Sequence, residues 1–321
     1  MTRLAELTAL DVLGIPVYSA IRPLGRSLSS CQGKGFTGEL AKLSAMGEAV
    51  EVWRMEQLSE EEALESIEVV NLFTQKSVPI SQGYLSEISL DLRGIHRSHS
   101  KPRKNSNGVG SSWSKQEAMN HAIFELIERK SIESWRNLQP HLRINHLVDQ
   151  RELHNTHSQI SQLLDQLKAS NVSLALWDIT MPDSFPCFQA VIGDQNSDFF
   201  PQLSEGTACQ ANPLHAIQKA LLEAIQSRLT IISGSRDDLP LSFYNQYVGN
   251  NVKRQEVPLG RHFPSLSTSV HNPISFLQSF CLSQGYSLDC MNCLILTQGC
   301  SDYTTIKLDH PYFLTPSREL L

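Results

Sequence analysis

The sequence has little of what marks membrane, secreted and nucleic-acid-binding proteins. Nowhere does it approach the run of roughly 18 apolar residues that a transmembrane helix needs, and residues 1–6 lack the apolar segment of a secretory signal. Only 19 % of the residues are charged, and the net charge of −6 disfavours sequence-independent binding to nucleic acid. These absences predict a cytoplasmic protein that has neither a membrane nor a nucleic acid as its partner.

Cysteine and histidine do not occur in the patterns of a disulfide framework or a metal site. The seven cysteines form an odd, dispersed set, which predicts reduced thiols. Cys290 and Cys293, with Cys300 nearby, lack the second pair that a zinc site needs, so we expect buried structural thiols. The eleven histidines show no H-E-x-x-H spacing of the kind that metalloproteases use to bind zinc. We also find no Ser/His/Asp or Cys/His nucleophile set, and the sequence therefore assigns no catalytic residue.

The chain is predicted to form one domain over residues 1–321, because no low-complexity segment or glycine-serine linker interrupts it. Apolar residues make up 40 % of the sequence, which is enough for a sizeable core. We expect a strand and turn at residues 80–92, a small-residue loop at 29–38 and a basic loop at 93–104. The predicted helices span residues 39–57, 115–135, 147–169 and 213–233, and the predicted strands include residues 172–179 and 188–192.

Cap residues mark the starts of three predicted helices. Thr37 is the expected N-cap of the first helix, Ser114 and Glu117 have the spacing of a capping box, and Asn212 with Pro213 opens a later helix. The glutamate-rich run at residues 56–68 is expected to be a solvated helix face. The apolar spacing that predicts the first helix is that of Leu40, Leu43, Gly47, Val50 and Trp53.

Three of the predicted helices carry polar residues that share one face, because residues three and four apart are neighbours on a helix. Acids clustered in this way repel one another, and the face on the second helix has no lysine among them. We therefore expect a cation opposite these acids, and Mg2+ with a nucleotide would suit them. The alternative is a set of salt-bridged or capping acids. The residues are Ser44, Glu48 and Glu51 on the first helix, Glu117, His121, Glu125 and Glu128 on the second, and Glu223 and Gln226 on the third.

Three ordered motifs resemble those of the YcaO family. They are Cys31–Gly35 with Ala41–Glu51, Asn107–Gly110 with Glu117 and Glu125–Arg129, and Glu223–Arg228 with Ser233–Asp238. The opening at residues 10–17, with Arg22-Pro23, is most similar to the standalone branch whose partner is the TfuA protein. The resemblance implies an α/β (α+β) fold, in which a single YcaO-like domain packs mixed, largely antiparallel sheets with helices that carry an ATP and Mg2+ site.

The resemblance further implies an ATP-dependent enzyme that phosphorylates an amide oxygen of a peptide backbone, so that a nucleophile attacks the carbonyl carbon and phosphate leaves. The TfuA-like opening favours thioamide formation. The alternatives are an azoline-forming cyclodehydratase acting on a ribosomally made peptide and a catalytically degenerate scaffold or peptide-binding module. The partners that the resemblance implies are a peptide or protein substrate, a TfuA-like protein and, as an open case, a second copy in a homodimer.

The family motifs also imply site residues by position. Arg129 and Arg228 suit phosphate contact, since a guanidinium binds phosphate through two donors. The chain departs from the family pattern at Ser112-Trp113, where Gly-Asn is common, and it lacks the usual longer N-terminal stretch and the proline-rich C-terminus of azoline-forming members. The implied metal ligands are Glu51, Glu117, Glu125 and Glu128. The residues implied at the nucleotide are Lys34, Ser44, Glu48, Arg129, Glu223, Gln226 and Arg228.

Overall fold

A computed structural model describes residues 1–60, 65, 67–90, 106–194, 203–235, 260–267, 272–297, 299 and 302–309. This part of the chain contains three antiparallel sheets and eight α-helices, which confirms the predicted α/β (α+β) class. None of the described helices is long and apolar enough to cross a membrane. The predicted basic loop, Cys300 and residues 236–238 of the third motif lie outside the described residues.

The first and third sheets are each built from consecutive strands, whereas the second combines strands that are far apart in the sequence. The first sheet has the order β1 (Arg3–Glu6), β2 (Val17–Ile21) and β3 (Ser30–Lys34). The second has the order β4 (Ile67–Asn71), β9 (Asn292–Leu296), β10 (Thr304–Asp309) and β5 (Val109–Ser112). The third has the order β6 (Val172–Asp178), β7 (Cys187–Asp194) and β8 (Ser204–Cys209). In the second sheet Ile306 lies opposite Gly110, so the C-terminal strands close against the N-terminal half.

The helices begin at the caps that the sequence predicts. Thr37, Ser114 and Asn212 each accept a hydrogen bond from a backbone N–H of the first turn, and Gly234 ends the last of the three helices at φ 58°. In chain order the helices are α1 (Gly38–Gln57), α2 (Gln82–Ile88), α3 (Lys115–Asn137), α4 (Pro140–Arg143), α5 (Gln150–His154), α6 (Ser158–Ala169), α7 (Pro213–Ser233) and α8 (Pro273–Ser283).

Three of the element predictions are wrong. The expected strand at residues 80–92 contains α2, which Ser81 caps and which buries Leu85 and Ile88 on one helical face. The expected loop at 29–38 contains β3, whose small residues reflect the close approach of α1 rather than flexibility. The single helix expected at 147–169 is divided into α5 and α6, because Asn155 ends the first and the extended His157 precedes the second.

The apolar stripe that predicts α1 is not its buried face. Leu40, Leu43 and Trp53 are exposed, whereas the buried face consists largely of alanines at positions 41, 45 and 49. Alanine is found there because β3 passes too close to the helix for larger side chains. Glu56, expected on a solvated face, is also buried, and it forms an ion pair with Arg22.

Candidate functional site

Each of the three acid-bearing helices packs closely against one strand, and the contact is made at a glycine of that strand. A Cβ atom added to Gly33 of β3 would lie 1.9 Å from Ala45 N of α1, and one added to Gly110 of β5 would lie 2.4 Å from Ala118 O of α3. Gly206 of β8 meets α7 at a similarly short distance. These contacts leave no room for a side chain, so they fix the distance of each helix from its sheet. Helices α1, α3 and α7 are thereby held firmly in place.

Carboxylates from these three helices lie near one another. The pKa of Glu51 on α1 is raised to about 8, chiefly by burial and then by the charge of Glu125 on α3, while a hydrogen bond from Ser111 opposes the shift. Burial also raises the pKa of Glu128 to about 8, and Glu223 on α7 is the next largest cause. Burial raises the pKa of Glu125 too. The pKa values of Glu51 and Glu128 therefore each depend on an acid of a neighbouring helix, which is the arrangement expected of clustered carboxylates.

Arg129 and Lys34 balance part of this charge through direct contacts. The Nη2 atom of Arg129 lies 3.3 Å from Glu125 Oε1, and its Nη1 atom lies 4.0 Å from Glu128 Oε1. The Arg129 side chain is 43 % exposed and thus accessible to a ligand. Lys34 Nζ on β3 lies 3.0 Å from Glu223 Oε2. These contacts reduce the electrostatic repulsion among the acids, yet the pKa values of Glu51 and Glu128 still lie far above the usual carboxyl range.

The remaining predicted residues lie around this cluster. Ser44 is exposed one turn before the partly buried Glu48. Glu117 is exposed at the start of α3, where its carboxylate accepts a hydrogen bond from Ser112 Oγ at 2.7 Å, so it does not complete a capping box with the Ser114 backbone. Gln226 Nε2 donates to the carbonyl oxygen of residue 32 on β3 at 3.3 Å. The carboxylate of Glu117 is therefore available at the surface.

Arg228 occupies a different environment from Arg129. Its side chain is 6 % exposed, with Nε 2.9 Å from Asp11 Oδ2 and Nη1 2.8 Å from Asp194 Oδ2. These ion pairs connect α7 to β7 and to the segment before β2. A phosphate contact would require them to break, and Arg129 is therefore the accessible one of the two predicted arginines.

Two further residues lie near the acids: Lys219, which the sequence did not identify, and His121, which it placed on the acid face without a role at the ligand. Lys219 is exposed on α7 one turn before Glu223, and partial desolvation followed by the nearby Lys34 lowers its pKa. His121 Nδ1 lies 3.3 Å from the carbonyl oxygen of Ser111, and desolvation followed by Lys219 lowers the imidazole pKa. The i, i+4 spacing of Lys219 and Glu223 was a signal that could have identified the lysine.

The donor set suits Mg2+ with a phosphorylated ligand better than an ion held by protein alone. Within the described ranges, no three His, Cys, Asp or Glu side chains are close enough to enclose a metal ion. Mg2+ takes one or two carboxylates and completes its octahedron with water and phosphate oxygens. Several partly buried carboxyls beside Lys34 and Arg129 therefore fit Mg2+ together with phosphate groups.

The fold and the site define an α/β protein with clustered helix carboxylates. The family described as YcaO cyclodehydratase, ATP- and Mg2+-binding, matches residues 53–279. This match covers more than half of the 321 residues, and the chain belongs to the YcaO family. The predicted resemblance to this family is thereby confirmed, and ATP and Mg2+ are the ligands of the family, as expected.

Relatives in two organisms cover most of the chain. A protein of Rhizobium leguminosarum bv. trifolii, named for its place in the tfuA 3' region, is 29 % identical over 81 % of this chain and 69 % of its own length. A Methanothermobacter thermautotrophicus protein is 30 % identical over 82 % of this chain and 73 % of its own length. The name of the first relative places that relative next to tfuA.

Solved structures share the fold at low sequence identity. A heterocyclase in complex with substrate and cofactor has a TM-score of 0.64 at 17 % identity, and the match covers 97 % of this chain and 49 % of that one. YcaO from Methanopyrus kandleri, bound with AMPPCP and Mg2+, has a TM-score of 0.60 at 16 % identity, covering 96 % and 84 %. The chain thus spans about half the length of the heterocyclase chain. Identities this low show the fold alone.

Proposed function

We propose that the protein is an ATP-dependent enzyme that activates peptide-backbone amides, with ATP and Mg2+ held on the acid faces of α1, α3 and α7. The supporting observation is the convergence of Glu51, Glu125, Glu128 and Glu223 from three helices, with the pKa of two of them raised to about 8. Membership of the YcaO family supports the same activity. We propose a single YcaO-like domain over residues 1–321 and a cytoplasmic location.

The residues divide into those that suit the cation and those that suit phosphate. Glu51, Glu125 and Glu128 would hold Mg2+, and the surface carboxylate of Glu117 would join them from the start of α3. Lys34 and Arg129 would contact phosphate oxygens, because both present donors beside the acids. When bound, ATP with Mg2+ supplies the phosphoryl group that turns a poor leaving oxygen into phosphate. Glu51 and Glu128 would release their protons as the cation binds, which makes affinity depend on pH.

Calorimetric titration with AMPPCP and Mg2+ tests the binding step. We expect saturable binding that requires Mg2+. An absence of binding at millimolar nucleotide would contradict the proposal and favour the catalytically degenerate scaffold or peptide-binding module. That second candidate draws support from Trp113, which stands where family members often have an asparagine.

We propose thioamide formation with a TfuA-like partner as the particular reaction. The opening motif and the relative from the tfuA 3' region support it, whereas the family description as a cyclodehydratase supports azoline formation. In both reactions phosphate leaves with the carbonyl oxygen, and only the attacking nucleophile differs: sulfide for a thioamide, or a Cys, Ser or Thr side chain for an azoline.

Mass spectrometry distinguishes the two reactions. The protein would be incubated with its partner, ATP, sulfide and candidate peptides, and the products weighed. Thioamide formation adds about 16 Da and azoline formation removes about 18 Da, because sulfur replaces oxygen in one case and water is lost in the other. A product lighter by one water, formed without sulfide, would replace thioamidation by azoline formation and leave the ATP chemistry standing.

A further inference from the structure

An exposed pair of aromatic side chains stands beside the acid cluster. Trp113 lies between β5 and α3 with 72 % of its surface exposed. Its ring meets that of Tyr303, which directly precedes β10, edge to face with centroids 4.9 Å apart. Trp and Tyr rings bury large apolar areas when they bind a partner, and they are enriched among the residues that dominate binding energy.

The pair is held in place by its surroundings. The Arg54 guanidinium lies 5.6 Å from the centre of the Tyr303 ring, and Arg54 Nη1 donates to Thr305 Oγ1 at 3.1 Å. A Cβ atom on Gly47 of α1 would lie 3.0 Å from the Tyr303 hydroxyl, so the phenol rests on the helix. Tyr303 is therefore packed against α1 and Arg54, while most of the Trp113 side chain is accessible to a ligand.

The aromatic pair is also close to the predicted metal ligands. The Tyr303 hydroxyl rests on α1 at Gly47, and Glu51 lies one turn further along the same face of that helix, so the phenol and this carboxyl are near each other. On the other side of Trp113, Ser112 donates a hydrogen bond to Glu117. The two acids that flank the pair are ones that would bind Mg2+, and Mg2+ would be accompanied by phosphate oxygens.

We propose that Trp113 and Tyr303 bind the peptide substrate, by contact with an apolar side chain next to the reacting amide. This inference rests on the proposed function, since an amide that is to be phosphorylated must come to the phosphate end of the nucleotide. The base lies at the opposite end of the nucleotide from its terminal phosphate. An aromatic pair beside the metal ligands is therefore positioned to contact the peptide that is phosphorylated rather than the adenine ring.

The test measures binding of a defined peptide, acetyl-Gly-Gly-(4-fluorophenylalanine)-Gly-Gly-amide, to the full chain with Mg2+ and AMPPCP by 19F line broadening. We expect Trp113→Ala and Tyr303→Ala to weaken peptide binding by about fivefold. Trp113→Phe should retain most of the affinity. Leu24→Ala removes an apolar side chain that is 96 % exposed elsewhere, and it should change nothing. A competing peptide with leucine at the central position should displace the probe, and one with aspartate should not.

The AMPPCP affinity of every variant is measured in parallel, with thermal unfolding as a check on folding. We expect Trp113→Ala to bind AMPPCP within about twofold of the unaltered protein. Equal peptide binding by the unaltered protein and by Trp113→Ala, or no binding by either, would overturn the inference. A loss of AMPPCP affinity with unchanged peptide binding would also overturn it, in favour of a nucleobase contact. Failure of the unaltered protein to bind AMPPCP would instead contradict the proposed function.

Discussion

Two carboxylates of α1, the buried Glu56 and the partly buried Glu51, lie only five residues apart and have opposite environments. Glu56 forms an ion pair with Arg22, and it also accepts hydrogen bonds from the backbone of Arg26 and from the backbone and hydroxyl of Ser27. Glu51 faces the acids of α3 instead, and its pKa is raised to about 8 by burial and by Glu125. A carboxylate that has a cation and hydrogen-bond donors as partners within the protein helps to hold the fold together. One that faces other carboxylates needs a cation that is not part of the protein.

The same contrast separates the two predicted arginines. Arg228 is enclosed by Asp11 and Asp194 and holds α7 to neighbouring segments, while Arg129 is exposed beside Glu125 and Glu128. Charge alone therefore does not identify the site. The site is distinguished by charges that have no full set of opposite charges and hydrogen-bond partners within the described part of the protein.

We expect the largest effect on stability at Glu56, the carboxylate that is paired within the protein. Glu56→Gln should lower the free energy of unfolding by about 3 kcal/mol, because it leaves the buried Arg22 guanidinium without its counter-charge. Denaturant unfolding measures this change. Glu133→Gln is the matched control, since the Glu133 side chain, which pairs with Lys130 on α3, is 47 % exposed and its loss should cost less than about 0.5 kcal/mol. Equal effects of the two substitutions would contradict the assignment of Glu56 as a structural ion pair.

The next effect is on ligand binding rather than stability. Replacing Glu125 and Glu128 together by Gln should weaken AMPPCP binding in the presence of Mg2+ by about 100-fold, a change of about 3 kcal/mol, because the proposed cation loses its carboxylates. The free energy of unfolding should be unchanged or higher, since charges that repel one another are removed. Calorimetry and denaturant unfolding test the two parts. An unfolded double variant would show that these acids are structural.

Sequence patterns could predict the acid faces but not which charges are satisfied. The i, i+3 and i+4 spacing is local, so it placed Glu125 and Glu128 on one face of a helix that the structure confirms. The partners of Arg228 are Asp11 and Asp194, far away in the chain, and no local pattern indicates such pairs. The strand at β3 was likewise missed, because the small residues that permit its contact with α1 are also typical of loops.

A third prediction concerns pH and the protein without nucleotide. The pKa of Glu128 is raised from 4.5 to about 8 in the folded protein, so between these values the folded state binds a proton that the unfolded state has lost. The free energy of unfolding should therefore fall as pH rises from about 5 to about 8 and then level off. Glu128→Gln should make this decline shallower, with Glu51 supplying the part that remains, whereas Glu133→Gln should leave it unchanged. Denaturant unfolding at several pH values provides the measurement, and a rise over this range would contradict the assigned shift.

The smallest expected effect comes from a single hydroxyl that supports Glu51. Arg54 donates to Thr305 Oγ1 at 3.1 Å, Thr305 Oγ1 lies 2.8 Å from Ser111 Oγ, and the Ser111 hydroxyl bonds to Glu51 and lowers its pKa. Ser111→Ala should therefore raise the pKa of Glu51 further and favour its protonated form, which does not bind Mg2+. We expect AMPPCP affinity with Mg2+ to fall by about fivefold at pH 7.

The pH dependence of that loss distinguishes a role at Glu51 from a general loss of structure. Above the pKa of Glu51 the carboxyl is ionised with or without the serine, so the difference between Ser111→Ala and the unaltered protein should shrink at pH 9. Ser173→Ala is the control, because its hydroxyl donates to Gly193 O on the third sheet, away from the acids. A loss that is the same at pH 7 and pH 9 would show that Ser111 acts on the fold rather than on the ionisation of Glu51. A loss confined to the lower pH would link the protonation of this one acid to nucleotide binding, as the contrast with Glu56 requires.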